Sequence, residues 1–156
     1  MDYDIELKEE QSQPVISKRI RTDADDLPKE LGRAYGDIVR YLNEIGEKPT
    51  DIAFAAYYNM NMDALDVEAG FIVEKTIPGK DDIKAGEIPS GKQVSCQHKG
   101  PYIHMEAAYH AIMEWVKENG CTPTGVAYEF YLNSPYEVSE EDLLTKVMLP
   151  LAPETK

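Results

Sequence analysis

The chain has 156 residues, with 29 acidic against 16 basic side chains and a formal net charge of −13. That length suits one domain with a real core, and 42% hydrophobic residues argue for a folded chain rather than a disordered one. The negative field repels phosphate backbones, so no direct nucleic-acid partner is expected, whereas cationic small molecules would be concentrated near the surface.

No apolar stretch approaches the ~18 residues that span a membrane, so no membrane partner is expected. The opening Met1-Asp2-Tyr3-Asp4 has neither the basic region nor the apolar run of a signal peptide. Cys96 and Cys121 lack CxxC or metal spacing and read as buried thiols. These features together lead to the expectation of a cytoplasmic protein.

Taken in order, Ile5 to Lys8 and Val15 to Arg21 read as short strands separated by a polar turn ending in Pro14. Asp23-Ala24-Asp25-Asp26 supplies cap candidates for a helix from about Lys29 to Ile45, with Leu31, Ala34, Tyr35, Ile38, Leu42 and Ile45 at helical spacing. Gly46 ends it and Pro49 follows. Ile52 to Asn59 reads as a strand, and a turn leads to another near Val67 to Glu74. The stretch from Lys75 to Lys92 is too rich in Gly and Pro for regular structure throughout and reads as the connection between two halves. Gln93 to Lys99 is a strand, and a second helix runs from Gly100-Pro101-Tyr102 to about Asn119, with Ala108, Ile112, Trp115 and Val116 inward. Gly120 caps it, Pro123 follows, and Val126 to Asn133 is a strand rich in aromatic residues.

The halves repeat. Aligning Gly46 with Gly120 carries the register without a gap from Ala34 to Asn59 over Ala108 to Asn133. Tyr35 meets Tyr109, Ile38 meets Ile112, Pro49 meets Pro123, Thr50 meets Thr124, Ala53 meets Ala127 and Tyr57 meets Tyr131. Two repeats are too few for a solenoid. The expected fold is therefore α+β: duplicated strand-helix-strand-strand modules, related by a pseudo-twofold, forming a curved antiparallel sheet with two long helices and a central groove. It forms a single domain over 1–156, with repeats at about 5–74 and 92–151 and a linker at 75–91.

Alternation along the last aromatic strand puts Val126, Tyr128, Phe130 and Leu132 on one face, apolar enough to be a core. Ala127, Glu129, Tyr131 and Asn133 lie on the other. Each helix is expected to cover one sheet face and leave the other for the groove. Ala55 stands in the first half where Glu129 stands in the second, so the groove face reads Ala53, Ala55, Tyr57 beside Ala127, Glu129, Tyr131. Small residues leave space, tyrosines make walls and one carboxylate supplies charge, a pocket for a lipophilic, cationic small molecule. Trp115, Tyr35, Tyr102 and Tyr109 are further aromatic candidates for its rim or for helix–sheet packing. His98, His104 and His110 form no HxxxH or Cys/His cluster, so no metal, haem or other cofactor is expected.

His98-Lys99-Gly100-Pro101-Tyr102, Glu114-Trp115-Val116-Lys117-Glu118-Asn119-Gly120 and Tyr128-Glu129-Phe130-Tyr131-Leu132-Asn133 resemble the GyrI-like small-molecule-binding domain. It is also the effector-binding domain of some AraC-type and MerR-type regulators. The resemblance runs from about Val15 to Leu151, through Ala56-Tyr57-Tyr58-Asn59, Asp66 to Phe71 and Ile88 to Lys92. It implies a stand-alone member with a groove glutamate at Glu129 that contacts cationic lipophilic compounds, for sensing or detoxification. Some relatives are similar to hydrolases that open strained cyclopropane rings, which would make Glu129 a general base or proton relay and set the hydroxyl of Tyr131 or Tyr57 on the developing substrate oxygen. The family name also implies a protein partner, either a regulator or a topoisomerase met through the acidic surface. Aromatic faces and one carboxylate fit pure binding and hydrolysis alike.

Overall fold

In the computed structural model, residues 3–48 and 52–153 are described. Met1 and Asp2 lie outside them, as do Pro49 and Thr50, the repeat's partners of Pro123 and Thr124. The strands are β1 (Glu6–Glu10), β2 (Gln13–Thr22), β3 (Ala53–Tyr57), β4 (Leu65–Ile72), β5 (Ile83–Ile88), β6 (Gly91–Lys99), β7 (Ala127–Tyr131) and β8 (Leu144–Pro150). The helices are α1 (Leu27–Glu44) and α2 (Glu106–Glu118). Two compact units result: Ser12–Pro89, and, among the described residues, 3–11 with 90–153. The first orders its strands β3-β4-β2-β5, the second β1-β6-β8-β7, and the pairings within each are antiparallel. Each contains the expected strand-helix-strand-strand module, β2-α1-β3-β4 and β6-α2-β7-β8, so the fold is α+β and duplicated.

The helices form where the spacing predicts. Ala34, Ile38, Tyr41 and Leu42 make one buried stripe on α1, and Ala108, Ile112 and Val116 make the matching stripe on α2. Asp23 Oδ1 accepts the Asp26 N–H at 2.8 Å ahead of α1, and Pro28 sits in the first turn, where its missing N–H costs nothing. Gly46 and Gly120 both follow their helices with positive φ, 73° and 66°, which L side chains rarely adopt. The chain enters α2 through a 3-10 turn at Tyr102–His104 rather than directly. Met113 and Ile103 are exposed, while Trp115 is half-buried against the α2 core.

Two features differ from the sequence expectation. The stretch read as a connection contains β5, which pairs with β2 from Gln13↔Ile88 to Lys18↔Ile83. Only Ile83 and Ile88, at its ends, are buried, so it lacks the alternation that marks a half-buried strand. The second difference concerns the helix-covered face. Val94, Cys96, Val147 and Leu149 of β6 and β8 form one core cluster with Ala108, Ile112 and Val116 of α2, and Ala127 packs against it. Glu129 pairs with Val147 and shares that face, so α2 lies over the Glu129 face and not over Tyr128 and Phe130. In the other unit, Ile16 pairs with Phe71 and packs under Ile38 and Leu42, so α1 covers the face carrying Ala53, Ala55 and Tyr57.

Candidate functional site around Glu129

Glu129 sits mid-strand in β7, where alternation turns its side chain toward α2. Tyr109, on α2, donates its hydroxyl to Glu129 Oε2 at 2.5 Å, and Tyr131, two residues along β7, donates to Oε1 at 2.8 Å. Each carboxylate oxygen thus accepts one phenol and keeps further lone-pair capacity. The Tyr102 ring meets Tyr131 edge-on, with centroids 5.7 Å apart. Burial pushes the Glu129 carboxyl above its usual range, and the Tyr109 and Tyr131 hydroxyls and the nearby His98 pull it partly back. Burial, with the Glu129 charge second, likewise raises the Tyr102 phenol.

The repeat clarifies why this carboxylate is unusual. Ala55 stands where Glu129 would be, and Tyr35 is the counterpart of Tyr109. Its hydroxyl donates to the Phe54 carbonyl at 2.8 Å, and its ring lies edge-on to Phe71 at 5.5 Å. Ala55 itself is fully buried opposite Ala69, and Tyr57 is half-buried opposite Val67. The site residues expected from the sequence thus divide between units: Tyr109 and Tyr131 both touch Glu129 in one unit, and Ala55 and Tyr57 belong to the other. Trp115 packs against the α2 core in the Glu129 unit.

Two groups close to this arrangement carried no binding role in the sequence. His98 is buried on β6, with its Nδ1 3.0 Å from the Tyr3 hydroxyl and its Nε2 3.1 Å from the Pro101 carbonyl. Because a carbonyl only accepts, Nε2 carries the proton, and in the neutral ring Nδ1 accepts from Tyr3. His98 also borders a cavity of about 770 Å³ lined by Tyr3, Pro101, Ile103, His104 and His110 among others, and Glu129 is not part of that lining. The second group is Thr145, on β8. Only the pairing register reveals it: Thr145 stands opposite His98 on one side and Tyr131 on the other. Among the described residues there is no group of three or more metal-ligating side chains and no helix long and apolar enough to cross a membrane.

The raised carboxyl gives a testable pH dependence. Glu129 is expected to titrate with a midpoint above the ordinary glutamate range. Tyr109→Phe removes a donor that favours the ionised form and should move that midpoint upward, as read by carboxyl carbon-13 NMR across pH. Stability follows the same ionisation. A folded-state value above the unfolded one means the protonated carboxyl favours folding, and that contribution is lost as pH rises through the raised value.

Comparison with known proteins gives one consistent answer. The model of the GyrI-like small molecule binding domain matches residues 1–152. The solved structure of EcmrR in its DNA complex is similar at 25% identity and a TM-score of 0.82, over 96% of this chain. This chain spans 57% of that one. The EcmrR C-terminal domain alone is 24% identical with a TM-score of 0.80, covering 97% of this chain and 99% of its own. SAV2435, solved bound to tetraphenylphosphonium, shares 10% identity and a TM-score of 0.67, over 98% of this chain and 95% of its own.

Proposed function

We propose that this chain, which belongs to the GyrI-like small-molecule-binding family, binds lipophilic cations at Glu129. The observation that carries this reading is the pairing of a desolvated carboxylate with two tyrosine hydroxyls inside an aromatic surround. Such a carboxylate is costly to ionise alone, and a cation entering beside it offsets that cost while aromatic faces favour the same charge. An acidic surface with a net charge of −13 adds long-range attraction for the same ligands. SAV2435 supplies a probe of the right chemistry, since tetraphenylphosphonium is large, apolar and permanently charged.

The test compares tetraphenylphosphonium with a neutral phosphine oxide bearing aromatic groups of similar size. The cation is expected to bind at least about tenfold more tightly at neutral pH, a preference worth roughly 1.4 kcal/mol. Equal affinities for the charged and neutral probes would remove the role given to the carboxylate.

A further inference from the structure

The sheet register sets a polar row directly beside Glu129. His98 of β6, Thr145 of β8 and Tyr131 of β7 are successive cross-strand partners, so their side chains share one face. Glu129 stands on that face one pair further along, opposite Val147. Two members of the row have named partners: His98 uses both ring nitrogens on Tyr3 and Pro101, and Tyr131 donates its proton to Glu129. Thr145 does not. It is 0% exposed, and among the described residues its Oγ1 is the one buried side-chain polar atom with no hydrogen-bond partner. Buried hydroxyls are nearly always satisfied, so an orphan beside a binding carboxylate marks where a ligand's polar group belongs.

We propose that Thr145 is a specificity-determining residue of the Glu129 site, and that the two together select protonated amines over quaternary onium ions. This rests on the reading of Glu129 as the cation-binding group. Diagonal neighbours on one sheet face stand about 7–8 Å apart, and an ammonium with ~2.9 Å hydrogen bonds to each side bridges such a gap once the glutamate side chain extends. The carboxylate supplies charge and accepts one N–H, and the threonine oxygen accepts another. A quaternary cation has no N–H, satisfies the carboxylate by charge alone and leaves Thr145 orphaned. The hydroxyl therefore contributes discrimination rather than bulk affinity.

The test uses two probes on one aromatic body, 4-biphenylylmethylammonium and its N,N,N-trimethyl analogue, titrated into wild type, Thr145→Val and Glu129→Gln. Valine keeps the shape of threonine and removes only the oxygen. Thr145→Val is expected to weaken the primary ammonium about tenfold and leave the trimethyl probe unchanged, with Thr145→Ser restoring the preference. An unchanged ratio of the two affinities in Thr145→Val overturns the proposal. If Thr145→Val does not fold, a crystal structure of wild type with the primary ammonium decides: nitrogen within hydrogen-bond distance of Oγ1 supports it, and nitrogen elsewhere overturns it. Failure of the Glu129 reading has a different signature, since Glu129→Gln would then leave both probes unaffected.

Discussion

Glu129→Gln is expected to weaken tetraphenylphosphonium binding by about tenfold to a hundredfold at neutral pH, roughly 1.4–2.8 kcal/mol. Glutamine keeps the length and planarity of the side chain, so the change isolates charge from shape. Its carbonyl oxygen accepts from one of Tyr109 and Tyr131, and its amide donates to the oxygen of the other, which preserves the contacts that hold α2 against β7. The lower bound reflects a cation that keeps its aromatic contacts, and the upper bound the loss of a partly desolvated charge pair. Burial of the wild-type carboxyl also means the variant should melt no lower than wild type, with its advantage growing as pH rises through the raised value. Calorimetric titration and a thermal melt read both quantities on one preparation. Unchanged affinity would sink the Glu129 assignment.

The largest effect on stability is expected at Gly70. It lies on β4, between β2 and β3, opposite Ser17 on one side and Phe54 on the other. A Cβ built there collides with the Ile16 carbonyl oxygen and stands 2.7 Å from the Ser17 Cα. Both obstacles are backbone of a paired strand, and Ile16 beside them is fully buried under α1, so neither can shift without opening the ladder. Gly70→Ala is therefore expected to cost more than about 3 kcal/mol, or to abolish folding at 37 °C. Urea denaturation followed by circular dichroism measures the loss, and a midpoint within error of wild type would show that the two strands can separate locally at little cost.

The helices and the repeat were legible because both depend on spacing that survives in one sequence. Ala34, Ile38 and Leu42 reappear as Ala108, Ile112 and Val116, and positive-φ glycines close both helices. Glu129 was legible as the place where the repeat breaks. The face that α2 covers was not: alternation marks the Tyr128 and Phe130 face as the apolar one, and both residues are buried, at 4% and 5% exposure, yet the helix lies over the face that carries Glu129. Thr145 stayed hidden for a related reason. It lies in a strand buried along most of its length, and only the register with β6 and β7 shows which residues it accompanies. β5 was missed because its inward residues stand at its two ends, and its strand state comes from hydrogen bonds to β2, a partner far away in sequence.

The placement of β1 has a bearing on how the chain is made. Glu6–Glu10 are synthesised well before their ladder partners, Ser95 to Gly91, with the whole of Ser12–Pro89 made in between. The intervening unit is contiguous and holds all of its own strands, so it is able to collapse while β1 is still waiting. Closing so long a loop is entropically slow, and a strand left unpaired for that time invites pairing with other nascent chains. Every residue of β1 is exposed in the finished fold, and four of its five carry charge. Those charges keep the waiting segment solvated and discourage pairing with a neighbouring copy.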